Sequence, residues 1–250
     1  MEMDIPRANL KSKQRGAAIK KVLTLPPPHD NNDGAIQYLI ERRGIHPAIV
    51  RYCIENSLVY EGVTTDRKGR KHRNVVFVGY DKKNVARYGF MRSMGYTRFA
   101  RDADGSDKSY CFHIEPARSS RILLKTEADI DLLSVASLAC YKFGNNWRNY
   151  HYLSAGGAAR VSMERYLQEH PEIDTIHFCN DNDERGRELT ARQIQIYGER
   201  GYNVVDKTPP SVGGEKTDCN DYLLSLIQKQ KSNKGNKQRR RANEGPAFLR

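Results

Sequence analysis

Asp174-Thr175-Ile176-His177-Phe178-Cys179-Asn180-Asp181-Asn182-Asp183-Glu184-Arg185-Gly186-Arg187 is the stretch that decides the fold of this chain. A short β-prone run, Thr175 to Cys179, stops at Asn180-Asp181-Asn182-Asp183, and helical composition begins at Glu184. Strand, turn and helix in that order put the turn at the carboxyl end of a sheet, where α/β folds bind ligands. Asp181 and Asp183 are two apart on an extended segment, so their side chains leave on the same side. Such carboxylates repel unless a cation lies between them, and their oxygens suit magnesium or manganese. Asp-x-Asp alone carries little weight. It recurs at Asp102/Asp104 and Asp129/Asp131, and a solvated turn with a helix N-cap accounts for a lone copy.

The surrounding rhythm supplies the context. Ile122–Lys125 reads as a buried strand, Asp129–Tyr141 as a helix, Tyr152–Ser154 as a strand ending in Gly156-Gly157, and Val161–Glu169 as a helix. After the opening strand come a helix over Glu184–Arg200, a strand over Tyr202–Val205, a Pro/Gly-rich loop and a last helix over Asn220–Gln228. This alternation predicts a parallel sheet covered on both faces. Trp147 and Tyr150 are expected to pack beside the Gly156-Gly157 turn; the other role open to them is stacking on bases.

Residues 33–116 read differently, as a small α+β module. Ile36, Leu39 and Ile40 have helical spacing, and Pro47 opens a second helix with Ile49, Val50, Cys53 and Ile54 inward. Strands follow at Leu58–Tyr60, Val75–Val78, Ala86–Met91 and Tyr110–Ile114, with a basic turn at 66–73. Residues 1–32 read as a weakly ordered basic leader, in which Pro26-Pro27-Pro28 ends any helix. Residues 117–228 form the α/β domain, and 229–250 a basic disordered tail with eight positive charges against Glu244.

The 250 residues carry a formal net charge of +12, which points to an acidic partner, nucleic acid before membrane. Five scattered cysteines without a C-x-x-C argue against a disulfide framework and a zinc ribbon. They fit a reducing compartment; a cytoplasmic location is expected, and no zinc. No apolar run approaches the roughly 20 residues of a membrane span.

Glu127 follows the Ile122–Lys125 strand at its carboxyl end, on the sheet edge expected for Asp181. Asp218 and Asp221, after the last strand, can join from that edge. Several carboxylates converging there are costly unless metal-bound.

Glu127-Ala128-Asp129-Ile130-Asp131-Leu132-Leu133-Ser134, Leu153-Ser154-Ala155-Gly156-Gly157, Asn180 to Arg187, and Asp218-Cys219-Asn220-Asp221-Tyr222-Leu223, in that order, resemble a Toprim domain. That is the catalytic module shared by topoisomerases and bacterial-type primases. Asn74-Val75-Val76-Phe77-Val78-Gly79 and Gly105-Ser106-Asp107-Lys108-Ser109-Tyr110 resemble the uncharacterised domain that precedes it in Toprim proteins of plasmids and conjugative elements. The resemblance spans about residues 33–228.

The resemblance implies roles by position. Glu127 is a general acid or base, or a metal ligand; Asp181 and Asp183 hold magnesium (or manganese); Asp218 or Asp221 completes a second metal shell. It implies phosphoryl transfer on nucleic acid by a primase-type nucleotidyltransferase core of a mobile element. The alternatives are a Toprim-type nuclease and a non-catalytic nucleic-acid-binding accessory in plasmid replication or transfer. Expected partners are single-stranded DNA, nucleotides and replication or conjugation proteins, with no membrane. Lys108, Arg67, Arg70, Lys71 and Arg73, with Arg239, Arg240 and Arg241 of the tail, are the candidates to guide a strand. No cysteine spacing supports a primase zinc module, and no G-x-x-x-x-G-K-[ST] motor motif is present.

Overall fold

A continuous apolar run, Val75–Val78, buried on both faces, centres the first of two sheets. A computed structural model describes residues 22–95, 99–155, 160–214 and 216–243, with backbone only for 234–243. Helix α1 (Asp33–Gln37) runs on through a π-helical turn, Tyr38–Arg42, and α2 (Pro47–Glu55) starts at Pro47. Strands β1 (Val59–Thr65), β2 (Lys71–Tyr80), β3 (Ala86–Ser93) and β4 (Ala100–Asp102) form an antiparallel sheet in that order. β1 and β2 run on into the segment read as a basic turn, leaving only 66–70 between them. Three-residue β4 has no sequence reading of its own.

With period two, Val75 and Phe77 face the main core, a cluster that also takes in Ile130 and Tyr152 of the second domain. Val76, Val78 and Met91 face the other way and pack with Leu23 and Leu25. This corrects the expectation of weak order through residue 32. Residues 22–32 lie along the sheet because its second face is apolar and needs a cover. Prolines cannot donate, so their carbonyls make the bonds: Pro27 accepts from Val63 N at 2.9 Å and Pro26 from the Tyr60 hydroxyl at 2.7 Å. Residues 1–21 lie outside the described residues.

The second sheet has the order β5-β7-β6-β8-β9, comprising β5 (His113–Ile114), β6 (Ile122–Thr126), β7 (His151–Ser154), β8 (Thr175–Cys179) and β9 (Asn203–Asp206). β7, β6, β8 and β9 are parallel, as the β/α rhythm predicts; β5 adds one antiparallel edge strand. The run read as a strand over Tyr110–Ile114 divides into a 3-10 turn, Lys108–Tyr110, and β5. Helices α4 (Arg160–Glu169) and α5 (Glu184–Gly198) cover one face through Met163, Tyr166, Leu167 and Tyr197. Helices α3 (Asp129–Phe143) and α6 (Cys219–Asn243) lie on the face shared with the first module. α6 continues past Gln228 through the first part of the basic tail; residues 244–250 lie outside the described residues. All five cysteines are free and buried. Among the described residues no helix is long and apolar enough to cross a membrane.

Candidate active site

The carboxyl ends of β6 and β8 lie side by side, with Thr126 in register with Cys179. That pairing brings the residues just beyond each strand together. Glu127 Oε1 accepts a hydrogen bond from the Asp181 backbone N–H at 3.1 Å. The 180–183 turn is also pinned from a third direction. Asn182 bridges Thr217 in the loop after β9, with Asn182 N to Thr217 O at 2.7 Å. This places Lys216 over the turn, where its ammonium is 2.7 Å from Asp181 Oδ2 and 3.4 Å from Asp183 Oδ2. The bond to Asp181, followed by the charges of both aspartates, raises the ammonium's affinity for its proton. A cation thus occupies the place that two repelling carboxylates demand.

Asp183 divides its two oxygens. Oδ1 accepts from Gly186 N at 2.7 Å as the N-cap of α5, and Oδ2 faces Lys216. The cap is the main cause holding its carboxyl below the usual aspartate range. Gly186 has to be glycine: a Cβ there would stand 2.0 Å from the Asp181 carbonyl oxygen.

Beneath the edge lies a polar layer that the sequence reading does not single out. Lys125, fully buried, donates to Asn180 Oδ1 at 2.6 Å. Asn180 in turn donates to Thr190 and Gln193 of α5, each at 2.9 Å. Burial lowers the Lys125 ammonium to about 8 against the pull of Glu127 and Asp181. Asp131 is buried in the first turn of α3 and accepts from Asn220 N at 3.2 Å. Burial, then the charges of Asp218 and Asp181, push its carboxyl well up, with Arg92 of β3 pulling back. Asp218 is pushed up by burial first and then by Asp221 and Asp181.

The expected acids therefore separate into two groups. Glu127, Asp181 and Asp183 are brought together, and Asp218 is near enough to act on Asp181. Asp221 is engaged in a reciprocal cap with Asp218: Asp221 N donates to Asp218 Oδ1 at 2.7 Å, and Asp218 N to Asp221 Oδ2 at 3.4 Å. The all-oxygen donor set, the bridging ammonium and the like-charge crowding on Asp131 and Asp218 fit a hard divalent cation.

The basic candidates are dispersed. Lys108 pairs with Asp102 at 2.7 Å, Arg70 with Asp66 at 2.8 Å, and Arg73 with buried Glu61. Lys71 and Arg73 line a groove of about 580 Å³ with Arg42 and Tyr38. Arg67 is exposed on the β1–β2 turn. Arg239, Arg240 and Arg241 lie in the last turns of α6, where side chains are not described. Trp147 is buried, edge-on to Tyr52 at 5.4 Å, which removes it from base stacking; the Gly156-Gly157 turn lies outside the described residues. Arg92 was missed because nothing in a strand sequence tells which module its side chain will face.

Residues 37–117 match the family described as "Protein of unknown function (DUF3991)", and residues 125–223 the family described as "Toprim-like". Among solved structures, the chain is similar to the primase fragment of the bacteriophage T7 primase-helicase protein. Identity there is 16%, 75% of this chain and 72% of that chain are covered, and the TM-score is 0.52. It is also similar to the Aquifex aeolicus primase (zinc binding and RNA polymerase domains), with 14% identity, 81% of this chain and 55% of that chain covered, and a TM-score of 0.50. At these identities the likeness is one of fold. No curated protein matches the chain.

Proposed function

We propose that this chain, a Toprim-like protein with a DUF3991 domain ahead of its Toprim domain, transfers phosphoryl groups on nucleic acid with the help of a divalent metal, most like a primase catalytic core. The observation that carries this reading is the gathering of Glu127, Asp181 and Asp183 at one sheet edge, with the Lys216 ammonium between the two aspartates.

Asp181, Asp183 and Glu127 would hold a magnesium or manganese ion, with Asp218 in reserve for a second. Such ions neutralise phosphate oxygens and stabilise attacking and leaving oxygens. The chain's own residues do the rest. Glu127 is oriented by the Asp181 N–H through one oxygen and holds or gives up a proton at the other. Lys125 and Asn180 fix the turn from below. Arg92, close enough to act on both Asp129 and Asp131, and the groove lined by Arg42, Lys71 and Arg73 offer positive charge to a strand approaching from the first module. Single-stranded DNA and nucleotides are the expected ligands, replication or conjugation proteins the expected partners, and the cytoplasm of a cell hosting a plasmid or conjugative element the expected setting.

The experiment is a time course with labelled single-stranded DNA and magnesium or manganese, run with and without nucleotides. Product that grows only with nucleotides is the expected result. Strand shortening without nucleotides would replace synthesis with cleavage. DNA binding with neither activity would make the chain an accessory binder.

A further inference from the structure

The opposite, amino-terminal edge of the second sheet holds a separate cluster. His151 opens β7, and His170 and Glu172 lie in the connection from α4 to β8. One oxygen, Glu172 Oε1, is 3.2 Å from His170 Nδ1 and 3.8 Å from His151 Nε2, and one ligand atom from each of the three residues lies within 4.8 Å of the others. Around a tetrahedral zinc, ligand atoms stand about 3.3 Å apart. His151 is fixed in the interior at 2% side-chain exposure, so a metal would draw Glu172 (38% exposed) and His170 (12% exposed) toward it.

The surroundings are those of a metal ligand set. Of the other ring nitrogens, His170 Nε2 faces Glu115 Oε1 at 3.6 Å, and His151 Nδ1 is 2.9 Å from the Tyr166 hydroxyl. Ligating histidines have their free N–H held in this way, by a carboxylate or another oxygen. His151 is buried, and that burial, followed by neighbouring His170, lowers its affinity for a proton. Without metal its proton sits on Nε2 toward the Ser120 carbonyl, 3.2 Å away, since that oxygen only accepts. A metal at Nε2 would take the place of that bond, leaving the Ser120 carbonyl to turn toward the ion, and the ring proton would pass to Nδ1 beside the Tyr166 hydroxyl.

We propose that His151 Nε2, His170 Nδ1 and Glu172 Oε1 form a second metal site, for zinc or a similar borderline transition ion, remote from the Glu127–Asp181 edge. Two imidazoles and one carboxylate suit that class of ion better than magnesium. The expectation of no zinc rested on cysteine spacing, and this site uses no cysteine. Its position makes it a staple: it ties the start of β7 to the α4–β8 connection and, through Glu115, to the segment just after β5.

The test uses the whole chain, stripped with a chelator and titrated with zinc chloride and, separately, cobalt chloride. Wild type should bind one zinc equivalent at micromolar concentration, gain thermal stability from it, and show a visible cobalt absorption band. His170→Ala and Glu172→Gln, checked for fold by circular dichroism, should lose the equivalent, the stabilisation and the band. Asp181→Asn with Asp183→Asn should keep all three, which separates this site from the proposed active site. Zinc stoichiometry unchanged in both His170→Ala and Glu172→Gln, or no zinc bound by wild type, would overturn the proposal.

Discussion

The Lys216 ammonium lies 2.7 Å from Asp181 Oδ2 and leans on Asp183 from the same position, so the acidic turn already carries a cation of its own. A divalent ion entering there has to displace it. Lys216→Met should therefore raise magnesium affinity by about two- to fivefold, since a pair with a half-exposed lysine is worth up to about 1 kcal/mol. Calorimetric titration measures this. Weaker binding in the variant would mean that the lysine helps to build the metal site rather than competing with it.

Asp183 has two tasks that two substitutions separate. Asp183→Asn keeps an oxygen for the Gly186 N–H and should cost little stability while lowering metal affinity. Asp183→Ala loses the cap as well and should cost about 1 kcal/mol more in urea unfolding. Equal stabilities for the two variants would show that the cap contributes nothing.

Gly186 sets how closely α5 approaches the turn. A Cβ there meets the Asp181 carbonyl oxygen at 2.0 Å, a backbone atom that cannot swing aside. Gly186→Ala should push the turn off its bond with Glu127, cost about 1–3 kcal/mol, and weaken magnesium binding together with stability. Normal metal affinity in a destabilised variant would show that the turn tolerates displacement.

Much of this was legible in the sequence, for identifiable reasons. Thr175–Cys179 stops at the turn residues Asn180-Asp181-Asn182-Asp183, with a helical run beyond them, so its limits are those of β8. Glu127 and Asp181 could be paired because parallel strands put equivalent turns on one edge. Lys216 could not: it stands in a Pro/Gly-rich loop, and only the Asn182–Thr217 bridge carries it over the turn. Lys125 reads as the end of an apolar strand, and its burial depends on Asn180, 55 residues away. Asp131 is in an Asp-x-Asp that, on a helix start, looks like a favourable dipole partner. The order of residues 22–32 was hidden for a different reason. Three consecutive prolines look like a break, yet their carbonyls can still accept from a neighbouring strand.

Leu23 and Leu25 cover Val76, Val78 and Met91. Replacing both leucines with serine should cost about 2–3 kcal/mol and leave magnesium affinity unchanged, since the cover is on the sheet face turned away from the second domain. Denaturant unfolding beside metal titration checks both halves; a shift in metal affinity would contradict the separation of the two faces.

In the proposed function Glu127 moves a proton at the edge where Asp181 and Asp183 would hold a metal. Its most direct test is Glu127→Gln, which keeps shape and can still accept from the Asp181 N–H but cannot serve as a base. Single-turnover primer extension and DNA affinity should be measured on the same preparations of wild type and variant, under magnesium and under manganese. Near-normal DNA affinity with turnover reduced about 100-fold or more is the expected result. Turnover equal to wild type, at equal DNA affinity, would contradict it.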